Sequence, residues 1–263
     1  MSTTIGKTLR LAEFWQKGQT SLLVDATLPG ALGPMPGLEV PAELVERLAS
    51  FADGLIVNPG LAERYADRFS GKLGAAPLIR LDWTNVVRPE DFVLPPRDPR
   101  RVALATPTDA IQIGAVAGVV TLLLGYNEDF EARNIQSVAL ACREAVRVSL
   151  PLLADVVLAG PKIEPAKRDA AIELGVSFMT EAGTDGIILP LPGPEALRLL
   201  LDYAPVPLFL RVDTQPELAA QSEALRAALA EGGAGLVIGS HALAQADTTL
   251  TQARALTQKV AIP

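Results

Sequence analysis

The sequence is poor in reactive side chains: it has one cysteine, Cys142, one histidine, His241, and aromatic residues at only 5% of its positions. A single cysteine excludes an intramolecular disulfide, which is typical of a protein in a reducing compartment. One histidine and one cysteine also make a zinc site with nitrogen and sulfur ligands a poor fit. The apolar, helix-like surroundings of Cys142 ("LACREAV") indicate a buried small side chain rather than a nucleophile.

Positive charge and long apolar runs are scarce as well. The 23 lysines and arginines are outnumbered by 30 acidic residues, which leaves a net charge of −7. An acidic chain binds nucleic acid poorly, and the densest basic group, "RDPRR" at 97–101, reads as a solvated loop. No run is long enough to span a membrane, and the start of the sequence lacks the apolar core of a signal peptide. We therefore expect a cytoplasmic protein with a small-molecule ligand, and neither a nucleic acid nor a membrane as partner.

What is present is a rhythm of short apolar runs, rich in Val, Ile and Leu and bounded by Gly or Pro. There are eight, at residues 21–25, 54–58, 77–82, 117–126, 151–158, 185–190, 206–213 and 235–240. Such runs are typical of parallel strands buried on both faces, and segments with helical spacing alternate with them. This pattern predicts an α/β fold: a single (β/α)8 TIM barrel over residues 1–263, with an N-terminal helical segment covering its bottom. A doubly wound open sheet is the alternative, but its Gly-x-Gly-x-x-Gly signature is absent after the first run.

Polar side chains stand where the predicted strands end, and in TIM barrels the carboxyl ends of the strands carry the chemistry. Asp25, Asp82 and Asp155 could surround one cavity, and we take them as candidate catalytic residues. A carboxylate held near another tends to keep its proton and can act as an acid. The alternative is that each Asp caps the helix or turn that follows it.

Further polar residues at these ends are candidates for substrate binding: Asn58, Tyr126, Arg211, Gly239, Ser240 and His241. Arg211 is the cation at the seventh strand, although Asp213 could neutralise it, because residues two apart share a side of an extended chain. His241 could be a general base or an anion contact, but the sequence supplies no partner for it, and a polar loop residue is the alternative.

The order of these segments resembles a known family. "VDATLPGALGPMPGLEVP", "AAIELGVSFMTEAGTDGIILPLPG" and "GLVIGSHALAQAD" resemble the first, sixth and last units of bacterial and archaeal class I fructose-bisphosphate aldolase-like proteins. That superfamily also holds the deoxyribose-phosphate and tagatose-bisphosphate aldolases. The resemblance covers nearly the whole chain, in order and spacing more than in identity, and it implies a homo-oligomer by analogy.

The resemblance also implies a chemistry that this sequence carries only in part. Family members form a Schiff base between a lysine on the sixth strand and the substrate carbonyl, but the matching position falls at about Ile188. The functional position of the fifth strand falls near Val157, which is equally inert. Asp213 stands where a turn should bind phosphate, and Ser240 where the family commonly has arginine. Asp25 matches the acid that assists proton transfer in the family.

A relocated nucleophile is the remaining way to a Schiff base. Lys162 follows the fifth predicted strand closely, on the face that carries the strand ends, and is therefore a candidate catalytic residue. A solvated loop lysine is the alternative, because a reactive lysine needs burial. The other lysines are Lys7, Lys17, Lys72, Lys167 and Lys259.

Two functions remain open. One is a divergent aldolase-family barrel that has lost the Schiff-base lysine and binds a small polar or carbonyl compound at the barrel mouth. The other is a lyase, aldolase or isomerase acting on a small sugar, sugar phosphate or keto compound by carboxylate acid–base chemistry or through Lys162. We predict no cofactor and no dedicated metal site, although carboxylates could hold a Mg²⁺ ion in the second case.

Overall fold

Eight of ten strands close into a parallel barrel in the computed structural model, which describes residues 5–69 and 74–258. The strands are β1 Ser21–Asp25, β2 Gly54–Val57, β3 Ala76–Arg80, β4 Asp82–Thr84, β5 Arg101–Ala103, β6 Ala117–Leu124, β7 Leu152–Leu158, β8 Gly186–Pro190, β9 Leu208–Val212 and β10 Gly235–Ile238. The order around the barrel is β1-β10-β9-β8-β7-β6-β3-β2. The predicted (β/α)8 TIM barrel is confirmed, and the open sheet is excluded because β1 pairs with both β10 and β2.

Helices lie between successive barrel strands, with one more before the first strand and one after the last. They are α1 Ile5–Leu11, α2 Pro29–Leu32, α3 Pro41–Ala49, α4 Pro59–Arg64, α5 Pro107–Ile113, α6 Glu128–Arg147, α7 Arg168–Ala182, α8 Pro194–Tyr203, α9 Gln215–Ala230 and α10 Ala246–Thr257. Their starts follow local rules: Thr106 and Asp109 form a capping box on α5, and Asn127 and Thr214 cap α6 and α9. Within the described residues, no helix has the length and apolarity needed to cross a membrane.

The barrel strands are buried on both faces, which is why their sequences read as continuous apolar runs. One set of side chains packs against the surrounding helices. The other fills the barrel interior and includes Leu23, Ile56, Val119, Ile188 and Phe209. Ile188 is fully buried in this apolar interior.

The N-terminal segment closes the bottom of the barrel, as predicted. Phe14 joins the interior cluster, and the rings of Phe14 and Trp15 each lie 6.4 Å from the ring of Phe209. The buried Lys7 of α1 forms an ion pair of 2.6 Å with Asp185, just before β8. This segment therefore seals the end of the barrel opposite the carboxyl ends of the strands.

The insertion after β3 is more ordered than predicted. The predicted third strand ends at Arg80, and Asp82 instead begins a short antiparallel ribbon in which β4 pairs with β5. Arg101, predicted in a solvated loop, lies in this ribbon with only 9% of its side chain exposed, and it donates to Asp82 at 2.5 Å. Strands of three residues are too short to show a period, so the sequence pattern gave no sign of them.

Candidate functional site

A cavity of about 530 Å³, which includes its solvent-filled mouth, opens at the carboxyl ends of the barrel strands. Charged and polar residues line its floor, and apolar residues of the β1 and β4 loops form much of its wall. The lining residues are Asp25, Thr27, Leu28, Ala31, Asn58, Arg80, Asp82, Trp83, Thr84, Val87, Thr121, Leu123, Asp155, Val157 and Arg211. The three predicted carboxylates therefore do meet at one cavity.

Four charged side chains form a closed ring at the floor, three of them buried and Arg211 with 12% of its side chain exposed. Arg80 Nη2 lies 2.6 Å from Asp25 Oδ2 and 2.9 Å from Asp155 Oδ2. Arg211 reaches the same two oxygens, Asp25 Oδ2 with Nη2 at 2.9 Å and Asp155 Oδ2 with Nη1 at 2.8 Å. The four residues come from β1, β3, β7 and β9, where each shares the inward-facing set of its strand. Two arginines and two carboxylates thus replace the apolar packing found deeper in the barrel.

The ring changes the chemistry expected of Asp25. Burial acts to raise the pKa of this carboxyl, but Arg80, Arg211 and the hydrogen bonds of Thr27 together hold its pKa well below the ordinary value. Thr27 donates to Asp25 Oδ1 from its backbone N at 3.0 Å and from its hydroxyl at 2.5 Å. Asp25 is therefore ionised at neutral pH, and the prediction that crowding would make it an acid is wrong. The turn-capping alternative holds as well, through Thr27.

Asp82 holds the ribbon to the barrel. It accepts hydrogen bonds from Thr121 N at 2.6 Å and Thr121 Oγ1 at 2.8 Å, and from Arg101. Arg80 Nη1 in turn donates to Thr121 Oγ1 at 3.0 Å. With these partners, the side chain of Asp82 fixes one wall of the cavity rather than presenting a free carboxylate.

Two polar atoms of the ring have no hydrogen-bond partner in the described part of the chain. They are Arg80 Nε, a donor, and Asp155 Oδ1, an acceptor. Both side chains are nearly fully buried, with 7% and 2% of their surface exposed. Buried polar atoms are nearly always satisfied, so an unpartnered pair in residues that line a cavity indicates a place for a ligand or an ordered water.

The predicted binding residues divide into two groups. Asn58 and Arg211 line the cavity, and Asn58 Nδ2 donates to Thr27 O at 2.9 Å. Tyr126 lies outside it, half-buried, with its ring 5.3 Å from that of Phe130, and burial raises the pKa of its hydroxyl. His241 is exposed and also lies outside the lining.

Gly239 and Ser240 have structural contacts instead of a place in the cavity lining. Ser240 is fully buried, donates to Asp25 O at 2.7 Å and accepts from Leu28 N at 3.3 Å, which ties the end of β10 to the loop after β1. Gly239 N donates to Val212 O at 2.8 Å. Neither residue presents a side chain to the cavity.

The lysines lie away from the cavity wherever the structure describes them. Lys162 is 54% exposed and pairs with Glu128 at the surface, so the structure does not bring it to the other candidate catalytic residues. Lys7 lies at the bottom of the barrel, and Lys17 and Lys167 are exposed. Lys72 and Lys259 lie outside the described residues. Val157 lines the cavity, and Ile188 lies buried in the apolar interior.

Sequence reasoning missed Arg80, Arg101, Thr121 and Trp83. A signal for Arg80 was available, because an arginine inside the apolar run "PLIRLD" must be paired if the strand is buried. Trp83 lines the cavity while its Nε1 donates to Gly30 O at 3.0 Å, and Arg88 lies 5.2 Å from its ring centre. No group of three or more His, Cys, Asp or Glu side chains able to hold a metal ion occurs among the residues described.

Comparisons with known proteins agree with this architecture. No protein-family model matches the chain. The chain is 25% identical over 261 residues to an uncharacterized aldolase of Saccharolobus solfataricus, covering 97% of this chain and 94% of that protein. It is 27% identical over 241 residues to the 2-amino-3,7-dideoxy-D-threo-hept-6-ulosonate synthase of Halobacterium salinarum, covering 90% and 85%.

Solved structures show the same fold. A Schiff-base-forming fructose-1,6-bisphosphate aldolase superposes with a TM-score of 0.76 at 22% identity, covering 97% of this chain and 99% of that one. An archaeal fructose-1,6-bisphosphate aldolase gives the same TM-score and identity over 95% and 97%. By fold, then, the molecule is a TIM barrel. The predicted resemblance to class I aldolase-like proteins is confirmed by these relatives and structures.

Proposed function

We propose that this barrel binds a small polar or carbonyl compound in the cavity at the carboxyl ends of its strands, without forming a Schiff base. The observation that carries the proposal is the identity of the cations at the cavity floor, which are the buried Arg80 and the largely buried Arg211. A guanidinium stays protonated at every physiological pH and does not attack a carbonyl carbon. It can hold and polarise a carbonyl oxygen, because it presents fixed N–H donors in a water-poor site.

The surroundings support a site without a lysine nucleophile. Ile188, where the family resemblance implies the lysine, lies in the apolar interior, and Lys162 is paired with Glu128 at the surface. The lining found among the described residues contains no lysine, cysteine or histidine. A Schiff base would therefore need an amine that this part of the cavity does not offer.

Acid–base catalysis is a second candidate, favoured by the unpartnered oxygen of Asp155. A carboxylate oxygen can take a proton from a carbon next to a carbonyl, while an arginine stabilises the negative charge that develops on the carbonyl oxygen. That pair of roles suits an enolisation step of an isomerase or lyase. It uses Asp155 as the base and Arg80 as the electrophile.

Borohydride trapping tests the absence of a Schiff base. The protein is incubated with small aldehydes and ketones, reduced, and weighed intact, with a Schiff-base-forming fructose-bisphosphate aldolase as positive control. We expect an adduct on the control and none on this protein or its Lys162→Ala variant. A stoichiometric adduct that Lys162→Ala abolishes would overturn the proposal.

Deuterium exchange separates a binding protein from an enzyme. Each compound that binds in a calorimetric titration is incubated with the protein in D₂O and followed by proton NMR. The acid–base candidate would be established if the signal of the proton next to the carbonyl disappears with the wild-type protein and persists with the Asp155→Asn variant. Binding without exchange would support a binding protein without this activity. If no compound binds, both the binding proposal and the acid–base candidate are wrong.

A further inference from the structure

Two carboxylates, those of Asp213 and Glu217, lie at the turn after β9. In TIM barrels the loops after the seventh and eighth strands frequently form a phosphate site, and here these are the loops after β9 and β10. Asp213 lies directly against Gly239 at the end of β10: a methyl group added to Gly239 would lie 2.1 Å from Asp213 Oδ1. The space beside this glycine is therefore filled by a carboxylate.

Glu217 adds a second negative charge to the same turn. Its Oε2 accepts a hydrogen bond of 2.9 Å from Asp213 N, and its own backbone N donates to Thr214 Oγ1 at 3.2 Å. The carboxylate thus takes up a backbone N–H at the start of α9, a group that would otherwise be free for an anion.

Arg211 supplies positive charge to this turn, and it is already engaged. Its Nε donates to Asp213 Oδ1 at 2.9 Å, and its two terminal nitrogens donate to Asp25 and Asp155. One arginine therefore donates hydrogen bonds to three carboxylates. A phosphate group placed here would meet Asp213 and Glu217 at close range with little positive charge to offset them.

The cavity floor favours a different ligand chemistry. Within residues 5–69 and 74–258, Arg80 Nε is a donor and Asp155 Oδ1 an acceptor without a partner, each on a buried side chain that lines the cavity. A carbonyl oxygen accepts from the first and a hydroxyl group donates to the second. Satisfying both atoms at once removes the cost of two unpaired buried groups.

We propose that the ligand of this cavity is a small hydroxycarbonyl compound without a phosphate group. This inference rests on the proposed function, since it names the class of compound for the same site. The carbonyl and the hydroxyl group engage Arg80 Nε and Asp155 Oδ1, and the carboxylates of Asp213 and Glu217 discriminate against phosphate esters.

Calorimetric titration with a matched pair of probes tests this inference. Dihydroxyacetone and dihydroxyacetone phosphate differ only in the phosphate group, and we expect the ester to bind at least tenfold more weakly. The difference should narrow when the ionic strength rises from about 0.01 M to about 0.15 M, because salt screens the repulsion at the half-exposed Asp213.

Two double variants test whether Asp213 and Glu217 cause the weaker binding of the phosphate ester. Asp213→Asn with Glu217→Gln should narrow the ratio between the affinities for dihydroxyacetone and its phosphate ester at least threefold. Asp202→Asn with Glu223→Gln is the control, because it removes the same charge from exposed positions on α8 and α9. This variant should leave the difference in affinity between the two probes unchanged. If the first variant does not fold, the discrimination by the wild-type protein and its salt dependence decide the question.

The outcomes separate the two proposals. Equal or tighter binding of the phosphate ester by the wild-type protein would overturn this inference and leave binding without a Schiff base intact. A trapped adduct would overturn the proposed function even where the preference for the unphosphorylated compound holds. Failure of both probes to bind at millimolar concentration would overturn the inference.

Discussion

The two ends of the barrel both bury charge, but they do so differently. At the bottom, Asp185 Oδ2 accepts from both Lys7 and Leu152 N, at 2.6 and 2.9 Å, beneath a plug made by Phe14 and Trp15. At the top, Arg80 Nε and Asp155 Oδ1 have no partner among the described residues, and both belong to side chains that line the cavity. Arg10 Nε and Trp15 Nε1 at the bottom are unpartnered in the same sense, but neither belongs to the pair of Lys7 and Asp185. The two ends therefore differ in their charged clusters: only the cluster at the top contains buried atoms with unused hydrogen-bonding capacity, within the part of the chain that the structure describes.

The backbone shows the same contrast. Asp53 accepts from Leu22 N at 2.7 Å, as Asp185 does from Leu152 N, so each of these carboxylates secures the start of a neighbouring strand. At the top the carboxylates of Asp25 and Asp155 meet mainly arginine side chains. Carboxylates held by side chains rather than by strand backbones can exchange partners with a ligand without loosening the sheet. The comparison therefore separates charges that build the barrel from charges that are available for binding.

Removing one cation from the top ring should have the largest effect. Arg80→Met leaves Arg211 as the one cation of the ring beside Asp25 and Asp155. Breaking a buried ionic cluster in this way costs about 3–5 kcal/mol of unfolding free energy. Urea denaturation followed by circular dichroism measures the loss, with Arg198→Met, which breaks an exposed pair with Glu231, as control. A loss under about 1 kcal/mol, the range of surface pairs, would show that the ring does not stabilise the fold.

Removing the cation at the bottom should cost less. Lys7→Met removes the cation that pairs with Asp185, but Asp185 keeps its hydrogen bond from Leu152 N, and 14% of its side chain is exposed to solvent. We expect a loss of about 1.5–3 kcal/mol in the same urea experiment. A cost equal to that of Arg80→Met would remove the distinction between the two ends.

The free energy of unfolding at acid pH should depend on Asp25. Its folded-state pKa lies below the ordinary value of 3.8, so the stability it contributes is present above about pH 4 and is lost as the pH falls further. Between pH 5 and pH 3 this single group should account for about 1 kcal/mol of unfolding free energy, and Asp25→Asn should remove that part of the slope. The exposed Asp202→Asn serves as control; an unchanged slope in Asp25→Asn would contradict the depressed pKa.

The two tryptophans provide the mildest test, since Trp83 lines the cavity and Trp15 packs on Phe209 at the bottom. With Trp15→Phe, a ligand that enters the cavity should change the remaining fluorescence, by about a tenth or more of its intensity. With Trp83→Phe it should change little. A response from Trp15 instead would place the ligand at the wrong end of the barrel.

The sequence pattern predicted the barrel strands well and the site only in part. All eight apolar runs are strands, because burial on both faces leaves a continuous signature in the sequence. Asp25, Asp82 and Asp155 reach one cavity as predicted, since parallel strands end on one face. Tyr126 and Lys162 follow their strands too, yet they lie outside the cavity lining, because residues in loops do not follow the inward alternation of a strand.

The sequence alone determined the class of fold, the inward position of Asp25 and Asp155, and the scarcity of nucleophiles, because alternation and composition are local properties of the chain. The tertiary structure decided the state of the site. Arg80 meets residues 55 and 75 positions away in the chain, and this contact lowers the pKa of Asp25 together with Arg211 and the nearby Thr27. It likewise decided that Asp213 fills the turn beside Gly239, since contacts between distant segments depend on the closure of the barrel.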